Sequence, residues 1–363
     1  MSNSIAVLFA LDLGATIFQV NLINTVRSTM AIFLLIPFGI LSDRFGRKPM
    51  IIYPRVIQFF GTLIPVFARN PTHLIMASIV GGFAGGSYFP VLLSMIADLS
   101  DEEERREGIS TLFLFSSIGM VVGPSFTAFL LLFPQITLRS IYQISAVAQF
   151  GVLIYLALVL KETKPSEKHT KIELVPQIKQ LMSQTSFQGL LVVALLYNLY
   201  HSIFRNYAPI YGRVDLGLSD SQVVSFNTYR NFGVMLIRIS SSTFLTNVPI
   251  PIFLLVVLFL GGMTGLLVPF ATSYTFMVLI LFLVGVSFGA FRILSTTIVA
   301  NNSVPENRGL ANSLFDFSQS TGNFVQMFTS SMAENLGLIP VFLIGGITCF
   351  SAIFPALRAK LGR

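Results

Sequence analysis

The stretch of sequence that decides the fold is residues 12–27, which read DLGATIFQVNLINTVR. Residues 215–230 read DLGLSDSQVVSFNTYR and share Asp-Leu-Gly at the start, Gln-Val in the middle and Asn-Thr-x-Arg at the end. Each match is displaced by 203 residues, without a gap. Further matches at a displacement of 202 join residues 106–116 to 308–318. The chain is therefore predicted to contain two copies of one structural unit.

The composition indicates that both copies lie in a membrane. The chain has 363 residues, of which 53% are hydrophobic and 11% are charged, whereas soluble proteins carry about 25% charged residues. Cys349 is the only cysteine, so no internal disulfide forms. The net charge of +7 does not indicate a nucleic-acid partner, because the basic residues concentrate in loops between apolar segments.

A helix that crosses a bilayer needs about 20 mostly apolar residues. The sequence predicts such spans near 17–41, 49–68, 72–97, 109–133, 138–160, 187–212, 220–246, 249–270, 273–300, 309–333 and 337–358. A short apolar segment, residues 5–11, precedes the first of them, and the repeat aligns it with the end of span 187–212. We therefore predict a twelve-span arrangement whose first helix is largely missing at the N-terminus.

Charge and polarity predict the orientation and the domain boundaries. Lys and Arg concentrate in alternate loops, which places those loops and the C-terminus on the cytoplasmic side of the plasma membrane. The polar stretch 161–188 is the long linker, with an amphipathic piece near 172–182 on the membrane surface. The predicted domains are an N-terminal bundle at 1–160, a cytoplasmic linker at 161–186 and a C-terminal six-helix bundle at 187–363.

The first predicted cytoplasmic loop, residues 39–48, reads GILSDRFGRK. It resembles the signature G-x-L-x-D-R-x-G-R-[KR] of the major facilitator superfamily and matches at every fixed position. The resemblance implies an all-α integral membrane protein of two six-helix bundles related by a pseudo-two-fold axis. It also implies a secondary transporter that moves a small solute by alternating access.

The signature residues carry a predicted conformational latch. By resemblance, Asp43 caps the helix that begins near Gly309 and holds the two halves together on the cytoplasmic side. The capping itself uses the unpaired N–H groups and the positive dipole of a helix N-terminus. The complete predicted set is Gly39, Asp43, Arg44, Gly46, Arg47, Lys48 and Gly309.

A second pattern, Gly119-x-x-x-Gly123-Pro124, resembles the core of a motif found in antiporters of the drug-efflux branch. The alternative is a helix-packing seam of small residues with a proline kink. Many proton-coupled members of the family carry an arginine in the fourth span, whereas this chain has no arginine between Thr72 and Asp98.

Two arginines in the predicted spans are repeat equivalents. Arg27 and Arg230 each follow Asn-Thr, and Asn24 and Asn227 lie roughly on the same helix faces as these arginines. Paired guanidinium and amide groups suit a carboxylate, phosphate or nitrate-like ligand at a central cavity. The alternative is that each arginine ties its helix to neighbouring carbonyl groups.

Other polar residues within spans are predicted to line the cavity or to carry charge coupling. Asp316 is a carboxylate inside a span and is predicted to pair with Arg238 or Arg292; the alternative is that it carries a coupling proton. By resemblance, the seventh helix lines the cavity, and Tyr197, Tyr200 and His201 share one of its faces. His201 either couples protons or is simply hydrogen-bonded.

The sequence predicts neither catalysis nor a bound metal or cofactor. It contains no G-x-x-x-x-G-K-[ST] loop for ATP, and its three histidines and single cysteine form no triad or metal-ligand spacing. We expect a monomer in the lipid bilayer that moves a small molecule, with proton coupling left open. An anion is the first substrate candidate and a lipophilic drug-like compound the second. The competing class is a sensor or a remnant that does not transport.

Overall fold

The computed structural model describes residues 3–99, 102–163, 174–304 and 307–362. Within these residues the ordered structure is helical, without strands. The chain divides into two compact units, Met1–His169 and Thr170–Arg363. This agrees with the predicted all-α membrane fold.

The N-terminal unit contains six helices. Their bounds are α1 Asn3–Asp12, α2 Ile17–Phe45, α3 Arg47–Val66, α4 Pro71–Leu99, α5 Glu102–Leu130 and α6 Leu138–Val159. Helices α2, α3 and α4 pack on one another, and α6 packs on α3. Helix α5 contacts the rest of this unit mainly through α4 and leaves most of its apolar surface exposed.

The C-terminal unit begins with a short amphipathic helix, α7 Leu174–Met182, within the predicted linker. The helices that follow are α8 Thr185–Val214, α9 Asp220–Asn247, α10 Ile250–Leu267, α11 Tyr274–Asn301, α12 Arg308–Gln326, α13 Thr329–Leu336, α14 Leu338–Ser351 and α15 Ile353–Arg358. A 3₁₀ turn, Val268–Phe270, follows α10. Long helix α8 packs on α12 and α14, and its middle part is buried on nearly all sides.

Seven helices of the described residues are long and apolar enough to cross a bilayer, judged by length and composition. Helices α2, α4 and α9 contain positions whose side chains lie outside the described part. Together with the family assignment reported below, these helices make the chain a multi-pass membrane protein.

The repeated Asp-Leu-Gly-…-Gln stretches form the same local structure in both units. The glycine takes a left-handed conformation in each, with φ of 79° at Gly14 and 61° at Gly217, where a side chain would be strained. The repeated glutamine then closes a capping box at the next helix. The Gln19 side chain accepts from the Thr16 N–H at 3.1 Å, and that of Gln222 accepts from the Ser219 N–H at 3.0 Å.

A second shared feature brings two helices of each unit into close contact. In the N-terminal unit, a Cβ on Gly82 of α4 would lie 2.6 Å from the Arg27 carbonyl oxygen of α2. In the C-terminal unit, a Cβ on Gly285 of α11 would overlap the Arg230 carbonyl oxygen of α9. The two glycines are displaced by the same 203 residues as the two arginines. In each unit, the arginine therefore lies where its helix contacts the glycine of the neighbouring helix.

The last two predicted spans each contain a break that we did not predict. Span 309–333 divides into α12 and α13, and there the Thr329 hydroxyl donates to the Gln326 carbonyl oxygen at 2.7 Å, a bond that competes with the helix ladder. Span 337–358 divides at Ala352 because Pro355, four residues after the end of α14 at Ser351, has no N–H and its ring clashes with that carbonyl group.

Candidate functional site

The two repeat-equivalent arginines stand near the middle of α2 and α9. The Arg27 side chain is exposed and that of Arg230 is half-buried. Neither has a hydrogen-bond or ion-pair partner among the residues that the structure describes. Nearby, Asn24 has a buried amide nitrogen that also lacks a partner there, whereas Asn227 is buried and engaged. In each unit, therefore, one of these two guanidiniums lies at mid-helix without a partner among the described residues.

Arg27 lines a polar cavity of about 90 Å³ inside the N-terminal unit. The other polar residues that line it include Gln58, Ser78 and Gln149, and Tyr142 contributes its ring. The Gln149 amide donates to the Thr62 hydroxyl across the cavity wall at 2.9 Å. A cavity of this size and polarity suits water or a small anionic group.

The predicted cavity-lining tyrosines are packed inside the C-terminal unit. Tyr197 and Tyr200 are fully buried. Their hydroxyls hydrogen-bond to Ser287 of α11 at 2.8 Å and to Thr264 of α10 at 2.7 Å. These contacts give both tyrosines a role in holding α8 against its neighbours.

His201 is 5% exposed and stacks on Phe288, with ring centroids 3.9 Å apart. Its Nε2 atom is buried and has no hydrogen-bond partner among the described residues. Arg205 and Arg230 are close enough to act electrostatically on the ring. Of the three residues predicted on this face of α8, His201 is the one that stands beside a candidate arginine.

A polar seam joins α8 and α12. The Asn198 amide donates to the Gln319 carbonyl oxygen and, at 3.0 Å, to the side-chain oxygen of Asn323. Further along, Asn206 donates to the side-chain oxygen of Gln326 at 2.7 Å. A Cβ on Gly322 would lie 2.7 Å from the Leu195 carbonyl oxygen, so the two helices are in close contact along this seam. The spacing of amide side chains along each helix was visible in the sequence. Which amides pair across the two helices became clear only from the tertiary structure.

The structure resolves the choice of partner for Asp316 in favour of Arg292. The Arg292 guanidinium lies 3.0 Å from the Asp316 carboxylate and also donates to the Gln319 side chain at 2.8 Å. Both charged side chains remain more than one third exposed. Arg238 is half-buried and close enough to Arg292 to interact with it electrostatically. The three charges therefore form one cluster on α9, α11 and α12.

The signature loop is held by two carboxylates. The Arg47 guanidinium pairs with Asp98 at the end of α4, at 2.9 Å. The Glu162 carboxylate accepts from the backbone N–H of Arg47 at 2.7 Å, at the N-terminus of α3, where unpaired N–H groups and the helix dipole favour an anion. A Cβ on Gly46 would lie 2.7 Å from this carboxylate, so the glycine makes room for it. Sequence reasoning missed both acids because neither belongs to the signature.

Other predicted latch residues are placed as follows. The Lys48 ammonium donates to the Ala157 carbonyl oxygen at 3.0 Å, which ties α3 to α6. Asp43 and Arg44 lie in α2, but their side chains, like the surroundings of Gly39, fall outside the described residues. Gly309 lies in the first turn of α12. The latch therefore stays a prediction.

The Gly119 and Gly123 pair lies on an exposed face of α5. A Cβ at either position would meet no described atom within 4 Å, while Pro124 is buried. A helix-packing role for this motif stays a prediction. In the described part of the chain, no group of three His, Cys, Asp or Glu side chains is placed to hold a metal ion.

Comparison with known proteins assigns the family. A profile described as the Major Facilitator Superfamily matches residues 1–327. The chain belongs to the major facilitator superfamily. Its two-unit helical structure and the loop GILSDRFGRK agree with that membership.

Individual family members are similar to this chain at low identity. An uncharacterized transporter of Buchnera aphidicola (subsp. Schizaphis graminum) is 30% identical over 186 residues, which are 51% of this chain and 46% of that protein. Quinolone resistance protein NorA of Staphylococcus aureus is 20% identical over 357 residues, covering 96% of this chain and 91% of NorA. The chain thus matches about half the length of the Buchnera transporter and most of NorA.

A solved structure of the nucleoside transporter NupG superposes with a TM-score of 0.81. The match covers 98% of this chain and 94% of that one at 12% sequence identity. At this identity the superposition establishes the fold alone. It supports the predicted fold of two helical bundles.

Proposed function

We propose that this protein is a secondary transporter whose substrate is a small organic anion. Arg27 and Arg230 carry the proposal, because both are mid-helix guanidiniums without a hydrogen-bond or ion-pair partner among the described residues. An arginine near the centre of a bilayer costs about 2.5–3.5 kcal/mol on insertion scales. An anionic ligand would offset that cost through charge-assisted hydrogen bonds.

The surrounding charges favour an anion over a cation. Asp316, the carboxylate predicted to lie inside a span, is already paired with Arg292. Arg205 adds another cation near Arg230 and His201. A cationic substrate would meet excess positive charge at these positions, whereas a carboxylate would be attracted to it.

The proposal is tested by transport in proteoliposomes with a panel of labelled organic anions and neutral solutes of similar size. Arg27→Gln and Arg230→Gln each remove one charge-assisted interaction, worth about 1.5–3 kcal/mol. We expect the apparent affinity for anions to fall about 10- to 100-fold in each variant. Transport of any neutral solute that the protein accepts should be unaffected.

Arg69→Gln is the matched control, because it removes the same charge from an exposed position between α3 and α4. It should leave anion transport unchanged. Equal transport of anions by both span variants and this control, at equal protein levels, would contradict the proposal. Arg27→Lys and Arg230→Lys should keep part of the activity, since they retain the charge but not the planar geometry.

The alternative is export of lipophilic drug-like compounds. The Gly119, Gly123 and Pro124 pattern and the similarity to NorA favour it. Efflux of lipophilic cationic dyes that persists in Arg27→Gln and Arg230→Gln would select this alternative. Loss of dye efflux in Gly119→Leu, with anion transport intact, would assign the two activities to different residues.

Coupling and topology complete the proposal. We propose that any proton coupling passes through His201 or through the pair of Asp316 with Arg292. We also propose that the C-terminus is cytoplasmic in the plasma membrane and that the protein is a monomer. Uphill anion uptake driven by an imposed pH gradient, and its loss in Asp316→Asn or His201→Gln, tests the coupling.

Because Cys349 is fully buried, a cysteine added after Arg363 would report the side of the C-terminus to an impermeant maleimide. Asp43→Asn should slow transport by weakening the proposed latch.

A further inference from the structure

A groove runs between α8, the first long helix of the C-terminal unit, and α15, at the end where α8 begins and α15 stops. Its volume is about 570 Å³, within the range of roughly 300–1,000 Å³ that ligand sites occupy. At its base α8 and α15 touch, because a Cβ on Gly189 would overlap that of Ala359. The groove is thus shallow and open along the side.

The polarity of the groove changes along its length. Thr185 and Gln188 lie at the start of α8, next to Arg358 at the end of α15. Deeper along the helices, the lining becomes apolar, with Val192, Leu196 and Phe354. Phe354 is 69% exposed and Val192 is 49% exposed, so this apolar wall faces outward.

The length of the groove corresponds to one leaflet of a bilayer. Thr185 and Leu196 are 11 residues apart on α8, which spans about 16 Å at a rise of 1.5 Å per residue. Half of a hydrocarbon core is about 15 Å thick. An acyl chain lying in the groove would therefore reach from the headgroup level to the middle of the membrane.

The polar end of the groove is basic. Arg358 is exposed and has no hydrogen-bond or ion-pair partner among the described residues. Lys179 of the adjoining amphipathic helix α7 is exposed as well, and the Gln188 amide ties the two helices by donating to the Met182 carbonyl oxygen at 2.6 Å. An arginine at headgroup depth attracts anionic phosphates, whereas zwitterionic lipids gain less from it.

We propose that this groove binds one anionic phospholipid of the leaflet on the basic side of the membrane. The phosphodiester lies at Arg358 with Thr185 and Gln188 beside it, and an acyl chain lies along Val192, Leu196 and Phe354. The occupant is a resident lipid and does not depend on the substrate of transport. The N-terminal unit supplies an internal contrast. When Leu138 is aligned with Leu338, the residue of α6 that corresponds to Arg358 is Leu158, and the nearby Lys48 ammonium is already bonded to the Ala157 carbonyl oxygen.

The absence of tryptophan from the chain makes a direct test available. Phe354→Trp places a single indole in the groove. Tyr155→Trp places one on α6 beside Ile154, the residue that corresponds to Phe354 in the same alignment, and Tyr155 is 62% exposed. Each variant is reconstituted in phosphatidylcholine vesicles that contain either brominated phosphatidylglycerol or brominated phosphatidylcholine at the same fraction. Quenching of the indole reports which lipid is in contact with it.

We expect brominated phosphatidylglycerol to be preferred about fivefold over brominated phosphatidylcholine at Phe354→Trp, the preference that one arginine near the surface confers. Adding Arg358→Gln should remove the preference, and raising the salt concentration should reduce it in the unaltered background. Tyr155→Trp should show a clearly smaller preference, because the basic group near it, Lys48, is already hydrogen-bonded to the Ala157 carbonyl oxygen.

Equal quenching by the two lipids at Phe354→Trp would overturn the proposal, as would a preference that survives Arg358→Gln. A preference of the same size at Tyr155→Trp would show general surface attraction and would also overturn it. If Arg358→Gln does not fold, the salt titration decides: a preference that is insensitive to salt rejects the charge-based site.

Discussion

The N-terminal and C-terminal units share a helical frame and differ at the equivalent positions Gly61 of α3 and Thr264 of α10. In the C-terminal unit, α8 is 30 residues long and its buried Tyr200 bonds to Thr264. In the N-terminal unit, Gly61, the equivalent of Thr264, has no side chain to fill this place and lines the polar cavity. A position that is filled in one unit is therefore open in the other.

The fifth helices differ in the same way. Helix α12 carries Asn323, which bonds to Asn198 of α8, whereas the equivalent position on α5 is Val121. Asp316 of α12 pairs with Arg292, whereas its equivalent on α5 is Leu114, which is 55% exposed. The comparison teaches that the repeat preserves caps and close backbone contacts, while polar side chains within the units have diverged.

The largest expected effect concerns the glycines at which paired helices meet. Gly285→Ala would force α9 and α11 apart, because the added Cβ overlaps the Arg230 carbonyl oxygen. We expect destabilisation of about 3 kcal/mol, near the upper part of the range for overpacking. Gly82→Ala should cost less, about 1–2 kcal/mol, because its Cβ would lie 2.6 Å from the Arg27 carbonyl oxygen.

Thermal unfolding in detergent measures both effects. Gly119→Ala is the control, since its Cβ would meet no described atom within 4 Å, and it should be neutral or slightly stabilising through helix propensity. If Gly285→Ala behaved like Gly119→Ala, the close contact that the two units share would not determine their packing.

An intermediate effect is expected from the polar seam, which belongs to the C-terminal unit. Asn198→Ala removes the bonds to Gln319 and Asn323 and should cost about 1.5 kcal/mol, near the maximum measured for such bonds in membrane helices. Thr127→Ala on α5 removes a hydroxyl that bonds within its own helix, to the Gly123 carbonyl oxygen at 3.0 Å, and serves as the control.

The same unfolding assay compares these two variants. Thr127→Ala should change stability by less than about 0.5 kcal/mol. A loss of stability as large as that of Asn198→Ala would contradict the prediction. It would show that the polar seam stabilises the C-terminal unit no more than a hydrogen bond within one helix does.

The smallest effect tests whether the repeated loops are equivalent. Thr16→Ala and Ser219→Ala each remove a helix N-cap that closes a capping box and should each cost about 1 kcal/mol. The two losses should agree within about 0.5 kcal/mol. Hydrogen exchange at the first turns of α2 and α9 measures the free energy of local opening. If the two variants lost clearly different amounts of it, the two caps would not be energetically equivalent despite their shared sequence.

Much of the frame is predictable from these residues alone. Apolar runs of membrane-spanning length locate the long helices, and the 203-residue displacement pairs Gly14 with Gly217 and Arg27 with Arg230. The match GILSDRFGRK identifies the family. The repeated Gln19 and Gln222 were visible from the start, but their capping role is evident only beside Thr16 and Ser219.

The candidate site was less predictable because its contacts join residues far apart in the chain. Glu162 lies 115 positions from Arg47 and carries no motif, so its place at the N-terminus of α3 could not be inferred. The burial of Tyr197 and Tyr200 follows from α10 and α11, which offer hydroxyl partners, and a shared helix face does not reveal which side is covered.

Local chemistry was sufficient for the helices, their caps and the duplicated plan, since hydropathy, turn residues and spacing act over a few neighbouring positions. The pairing of Asp316 with Arg292 instead of Arg238, the cavity beside Arg27 and the groove that ends at Arg358 depend on how helices pack. The distance between two side chains on separate helices depends on residues far apart in the sequence, so no short stretch of sequence predicts it. A shift of a few ångströms in such a distance changes which charged groups pair.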